Sequence, residues 1–76
     1  MNLPTKPARE IDNVKAGQII RNARNKAEIS LGRLAGAMGK HASYLCDLEL
    51  GRRNWSPELF SCAEAKIQEL IAEKRV

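Results

Sequence analysis

Two short apolar segments on either side of a glycine constrain the fold of this chain more than any other feature. Apolar residues recur at helical spacing over residues 31–38, Gly39 follows, and the same spacing resumes over residues 42–50. Because glycine adopts positive φ without a steric clash, Gly39 lets the chain turn sharply, and Gly51 can end the second segment in the same way. The pattern predicts two short helices joined by a tight turn.

Residues that commonly cap helices predict where the first two helices of the chain begin. A helix is predicted over residues 14–27, where Asp12 or Asn13 can cap the first turn. Ser30 has the same capping chemistry and stands directly before residue 31. The short helix is therefore expected to begin there.

The last helix has the clearest start signal in the chain. Ser56 is its predicted N-cap, and Pro57 suits the first helical position because the missing N–H has no partner there. Trp55 can pack on Phe60 as a hydrophobic staple. No glycine or proline follows Pro57, so the helix is predicted to run to about Lys74.

Composition narrows the fold class. The 76 residues have room for one small core. An apolar content of 43% with only 4% aromatics favours aliphatic packing between helices over a β-sandwich. We predict an all-α, compact four- to five-helix bundle with a long C-terminal helix. Residues 1–12 are expected to form a flexible arm, and residues 13–76 the domain, with the last helix over 57–74.

The charge is unevenly distributed along the chain. Residues 1–56 carry ten Lys/Arg and five Asp/Glu, whereas residues 57–76 carry three and four. A basic body with a near-neutral tail suits a surface that binds a polyanion, although ordinary surface charge is the alternative. Lys6 and Arg9 are either part of a functionless tail or a minor-groove arm.

The sequence lacks the residue patterns that are typical of several classes of function. Cys46, Cys62 and His41 have no CxxC or HxxxH spacing, so no metal or other cofactor is predicted. Cys62 is expected to be a small packing residue, and oxidation sensing is an open alternative for Cys46. The sequence has one histidine, no paired carboxylates and no phosphate loop, so the chain is not expected to be an enzyme. No long apolar run or secretory signal is seen, so a cytoplasmic protein of a bacterial or phage-infected cell is expected.

The central segment has the spacing of a DNA-binding helix-turn-helix. Ala35 is small where the two helices must approach, Gly39 stands at the turn, and Leu45 and Leu48 are placed to bury apolar atoms. Around it, residues 17–59 resemble the lambda-repressor-like (Cro and XRE) helix-turn-helix family. The family pattern G-x-x-I-R-x-x-R, I-S-x-x-x-L-A-x-x-x-G, S-Y-I-x-x-x-E-x-G-x-R is matched in register by Gly17, Ile20, Arg21, Arg24, Ile29, Ser30, Leu34, Ala35, Gly39, Ser43, Tyr44, Leu45, Glu49, Gly51 and Arg53.

The resemblance implies that the third helix enters the major groove of DNA. By position, the base-facing residues are Ala42, Ser43, Cys46 and Asp47. The residues implied to contact phosphates are Lys40, His41, Tyr44, Arg52, Arg53 and Asn54. Arg24 and Glu49 match positions that often pair inside the domain.

The chain departs from the family pattern at the second helix and on the base-facing side. Leu31 stands where many members carry glutamine, and the base-facing positions lack Arg, Gln and Asn. Asp47 can accept a hydrogen bond from the amino group of cytosine or only hold a neighbouring base. His41 stands where Ser or Thr more often caps, and is either an exposed turn residue or a phosphate contact.

Ile67, Leu70 and Ile71 lie far along the last helix, beyond the point where so small a core is expected to be complete. They are predicted to form part of a homodimer contact, with core completion as the alternative. The function expected from the whole pattern is a sequence-specific, double-stranded DNA-binding transcriptional regulator. It is expected to be a dimeric repressor of phage or mobile-element type on an inverted-repeat operator. A protein-interaction module such as an antitoxin or adaptor is the alternative.

Overall fold

The computed structural model describes residues 12–74, which form four α-helices and no strand. They are α1 (Asn13–Lys26), α2 (Leu31–Ala37), α3 (Ala42–Glu49) and α4 (Pro57–Lys74). The expected all-α bundle with a long last helix is confirmed. The expected flexible arm lies outside the described residues, apart from Asp12. Within the described part of the chain, no helix has the length and apolarity needed to cross a membrane.

Side-chain caps begin three of the helices where the sequence predicts them. In each case an oxygen of the capping side chain accepts a hydrogen bond from a backbone N–H of the first turn. The pairs are Asp12 with Lys15 at 3.2 Å, Ser30 with Arg33 at 3.1 Å and Ser56 with Leu59 at 3.0 Å. At the start of α4, the Trp55 and Phe60 rings meet edge to face with their centroids 5.8 Å apart.

Glycines with positive φ end the second and third helices. Gly39 has φ of 72° and Gly51 has φ of 79°. After α3, the backbone N–H of Gly51 donates to the carbonyl of Leu48 at 3.2 Å, and that of Arg52 to the carbonyl of Asp47 at 2.8 Å. This pair of bonds is the Schellman motif, and it folds the chain after Gly51 back beside the last turn of α3.

The core lies between α3 on one side and α4 on the other, because α1 and α2 each pack against both. Ile20, Leu34, Leu45, Leu48 and Phe60 are its largest fully buried side chains. The indole Nε1 of buried Trp55 donates to the Leu48 carbonyl at 3.0 Å. The five largest buried side chains come from all four helices, so the core joins every element.

Gly17 permits the close crossing of α1 and α3. A Cβ at this position would lie 2.5 Å from the carbonyl oxygens of both Leu48 and Glu49. Those oxygens belong to a helix backbone and cannot move aside as a flexible side chain can. Only glycine therefore fits there.

The expectation that Ile67 and Leu70 form an exposed dimer surface is wrong. Ile67 is 2% exposed and Leu70 6% exposed, and both belong to the core of the single chain. The core continues further along α4 than expected because α1 and α2 both lie across this helix. Ile71 is only half-buried and remains partly available.

The last turn of α4 is attached to the loop between α1 and α2. Lys74 Nζ donates to the carbonyl oxygens of Ala27 at 2.6 Å and Glu28 at 2.9 Å. Glu28 has φ of 58°, so the loop makes a left-handed turn at this point. The end of the long helix thus fixes the loop that precedes α2.

Candidate nucleic-acid interface

One face of α3 is open, and it contains all four residues predicted to face the bases. Ala42 and Ser43 are exposed, and Cys46 and Asp47 are half-buried. Leu50, directly after the helix, adjoins them and is 44% exposed. The opposite side of α3, with Leu45, Leu48 and Glu49, is buried. We call the side formed by residues 42, 43, 46, 47 and 50 the open face.

Cationic groups surround the ring of Tyr44 at one border of the open face. The guanidinium carbon of Arg53 lies 4.7 Å from the ring centroid, and Lys40 Nζ lies 5.6 Å from it. Tyr44, Arg52, Arg53 and Asn54 line one groove of about 400 Å³. The structure therefore brings together four of the six residues predicted to contact phosphates, with Lys40 beside them. We call this set the Tyr44 corner.

Asn54 is oriented by a short chain of hydrogen bonds. The backbone N–H of Trp55 donates to Asn13 Oδ1 at 2.8 Å, so the Asn13 amide must present its Nδ2 elsewhere. That Nδ2 donates to Asn54 Oδ1 at 2.9 Å. The Nδ2 group of Asn54 consequently faces the other way, where it can donate to an oxygen of a ligand.

Asp47 lies between the two arginines of the same corner. Its Oδ1 is 3.8 Å from Arg52 Nη1, and its Oδ2 is 3.6 Å from Arg53 Nε. The Schellman turn after α3 causes this proximity, because it returns Arg52 to the level of Asp47. A carboxylate predicted to face bases is thus associated with two cations predicted to face phosphates.

His41 stands at the N-cap position of α3 and is exposed, and its side chain makes no capping hydrogen bond. It lies next to Lys40, which is also exposed. Both are at the entry to the open face, as expected from their place before the helix.

Arg24 and Glu49 form a bidentate ion pair between α1 and α3. Arg24 Nε and Nη2 donate to the two carboxylate oxygens of Glu49 at 2.8 and 2.9 Å, and the side chains are 12% and 4% exposed. Arg24 Nη1 also donates to the carbonyl of Ile29 at 3.0 Å. The hydrogen bond to Glu49 raises the pKa of the Arg24 guanidinium, against the opposing effect of burial. The pair holds the back of α3 while the open face is left free.

A second groove lies at the other border of the open face, and sequence reasoning did not single it out. It measures about 350 Å³, and its lining residues are Arg21, Arg24, Leu31, Cys46, Glu49 and Leu50. These residues come from α1, the start of α2 and α3, so no local pattern brings them together. The available signals were that Leu31 replaces the polar residue common at its position and that Arg21 matches the family pattern. We call this the Leu31 groove.

Comparison with known proteins gives a likeness at the level of the fold. No family model and no curated protein matches the chain. Two crystal structures of the clp gene regulator ClgR from Corynebacterium glutamicum are similar to it. The first has a TM-score of 0.71 and 24% identity, covering 95% of this chain and 92% of that one. The second has a TM-score of 0.62 and 22% identity, covering 86% and 81%. Membership of the Cro and XRE family stays a prediction.

Proposed function

We propose that this chain is a transcriptional regulator that binds double-stranded DNA sequence-specifically through α3. The observation that carries the proposal is the Tyr44 corner at the border of the open face. A helix with one free face fits the major groove, and cations at its border can contact the phosphates that flank that groove. Its likeness in fold to a protein described as a gene regulator agrees with this function.

The residues of the corner suit phosphate oxygens. Arg52 and Arg53 are exposed and supply charged donors, and the Nδ2 of Asn54 adds a neutral one. The stacking of Arg53 on Tyr44 limits the rotamers that the arginine samples, so less conformational entropy is lost when it binds. Lys40 and His41 extend the same border towards the start of α3.

We further propose that the regulator is a repressor of phage or mobile-element type and binds an inverted repeat as two copies. A single α3 reads only a few base pairs, and a two-fold pair doubles that number. Ile71 is the one residue of the expected dimer set that remains partly exposed. It is the proposed centre of a small contact between copies.

Duplex binding measured against salt concentration tests the function. Lys and Arg contacts to phosphates release counterions, so log K should fall linearly with log salt. Arg53→Ala should weaken binding to all sequences and reduce the slope by about 0.9 for the lost phosphate contact. Lys66→Ala removes the same charge from α4, where Lys66 lies 3.5 Å from Glu69, and is the matched control.

The control should leave the slope unchanged. Equal slopes for Arg53→Ala, Arg52→Ala and the parent would refute the phosphate assignment. Binding that stays negligible at low salt would instead favour the protein-interaction module.

A further inference from the structure

The open face of α3 has few groups able to hydrogen-bond to the edge of a base. Ala42, Cys46 and Leu50 are apolar or weakly polar, and the carboxylate of Asp47 lies between two arginines. Only Ser43 on this face combines a good hydrogen-bonding group with an exposed side chain. If this face reads DNA, most of its contacts with bases are apolar.

The order of residues around α3 places the apolar side chains together on one side of that face, next to the Leu31 groove. With 3.6 residues per turn, the order from one border to the other is Ala42, Cys46, Leu50, Ser43 and Asp47. The first three form a continuous strip along the helix. Leu50 is one of only two large hydrophobic residues within 12–74 that are exposed, so the core does not account for it.

The Leu31 groove widens this strip. Leu31, at the first position of α2, lines the groove together with Cys46 and Leu50. Three apolar side chains thus line part of a recess of about 350 Å³ beside the open face, and the charged residues Arg21, Arg24 and Glu49 line the rest of it. A small apolar group that packs against Leu31, Cys46 and Leu50 is shielded from water on that side.

Cations lie on both borders of the strip. Arg21 is exposed and lines the Leu31 groove on the α1 side, while Arg52 and Arg53 lie beside Asp47 on the other side. A polyanion held at both borders would cross the apolar strip between them. For a duplex with its major groove over α3, the groups at that place are the edges of the bases.

We propose that α3 recognises thymine by apolar contact between its C5-methyl group and the strip of Ala42, Cys46 and Leu50, with Leu31 as a wall. The methyl group is the one apolar group that the bases present in the major groove, and it separates thymine from cytosine. This inference rests on the proposed DNA binding and adds the chemical feature that the site reads. Ser43 supplies a hydrogen bond at the edge of the strip.

The test uses a duplex that the protein itself selects from a random pool. Each thymine of that duplex is replaced in turn by uracil, which lacks only the C5-methyl group. At each contacted thymine the affinity should fall about four-fold, the equivalent of about 0.8 kcal/mol for one buried methyl group. An unselected duplex of equal length, fully substituted with uracil, should bind as strongly as its thymine form.

Two variants connect the effect to the strip. Cys46→Ser exchanges a thiol for a hydroxyl of similar size and should reduce the preference for thymine over uracil, as should Leu50→Ser at its exposed position. Cys62→Ser makes the same chemical change on α4 and should leave the preference intact. Circular dichroism establishes that each variant is folded, and the exposed Leu50 provides the test if Cys46→Ser does not fold.

The outcomes separate the two proposals. A selected duplex that binds equally well with uracil at every position refutes methyl recognition while leaving DNA binding in place. A preference that survives both Cys46→Ser and Leu50→Ser refutes the assignment to this strip. A protein that selects no duplex and shows no salt-dependent binding refutes the proposed function and, with it, this inference.

Discussion

Removing either member of the Arg24–Glu49 pair should destabilise the domain strongly, and the two truncations should differ. Breaking a buried ion pair costs about 3–5 kcal/mol because the remaining charge is left without a partner. Glu49→Ala leaves Arg24, which is 12% exposed and still bound to the Ile29 carbonyl. Arg24→Ala leaves a carboxylate that is only 4% exposed and also frees that carbonyl. We expect Glu49→Ala near the lower end of the range and Arg24→Ala near the upper end.

These losses are large for a chain of this size. At about 0.05–0.15 kcal/mol per residue, the whole free energy of unfolding is about 4–11 kcal/mol. Since 1 kcal/mol shifts the Tm of a small domain by about 4–8 °C, Glu49→Ala should lower it by at least about 12 °C. Arg24→Ala, at about 5 kcal/mol, should lower it by at least about 20 °C. Thermal and urea unfolding followed by circular dichroism measure both effects.

The control is an ion pair of the same length in a different environment. Arg33 Nη2 lies 2.9 Å from Glu73 Oε1, but the two side chains are 59% and 61% exposed. Such exposed pairs contribute about 0–1 kcal/mol, so Arg33→Ala should change the Tm by only a few degrees. The reasoning is refuted if Glu49→Ala unfolds within about 4 °C of the parent, or if Arg33→Ala costs as much as Glu49→Ala.

Three further predictions follow from the packing and the open face. Gly17→Ala should destabilise the domain by more than about 1 kcal/mol, because the added Cβ would meet two backbone carbonyls. Gly36→Ala should stabilise it by about 0.5–1 kcal/mol, because no atom lies within 4 Å of the added Cβ. Urea midpoints in the opposite order would contradict this. Ile67→Glu should unfold the domain because it puts a carboxylate at a position 2% exposed, whereas Ile71→Glu should remain folded, and equal circular dichroism melts would contradict this. Asp47 lies close enough to Arg53 to position it, so the loss of duplex affinity in the Asp47→Ala, Arg53→Ala double variant should differ from the sum of the two single losses by more than about 0.5 kcal/mol. A double variant that matches the sum would show that the two residues act independently.

Local signals explain why the sequence predicted the helices so closely. A serine or aspartate caps a helix by accepting a hydrogen bond from the N–H three residues further along the chain. Asp12, Ser30 and Ser56 therefore predict the starts of their helices from residues within one turn. Gly39 and Gly51 likewise act at single positions through φ. None of these features depends on what the rest of the chain does.

Features that depend on two elements at once were not predictable in the same way. Helical spacing showed that Ile67 and Leu70 share a face, but not that α1 and α2 cover it to its end. The association of Asp47 with Arg52 depends on the turn after α3, and the Leu31 groove depends on the crossing of three helices. Position within a family pattern could therefore assign Asp47 to the bases, while only the fold shows the cations beside it.

The proposed apolar contacts with bases and the small contact available on α4 within residues 12–74 together bear on how two copies would meet. If each methyl contact is worth about four-fold, three contacts in one copy discriminate by about sixty-fold. The affinity of a regulator for its specific site usually exceeds its affinity for non-specific DNA by a factor of about 10³–10⁷. Two copies, with a combined discrimination of about four thousand-fold, reach that range, whereas one copy does not. Yet, within residues 12–74, the burial of Ile67 and Leu70 leaves Ile71 as the partly exposed remainder of the expected contact, so the part of α4 that was expected to join two copies offers only a small contact. The pair is then expected to assemble on the inverted repeat, where the duplex supplies most of the binding energy and a small contact adds cooperativity.

The protein should bind a duplex with a single half-site far more weakly than a duplex with two half-sites. Moving the half-sites apart by half a helical turn should remove that advantage, because the two copies would then lie on opposite sides of the DNA.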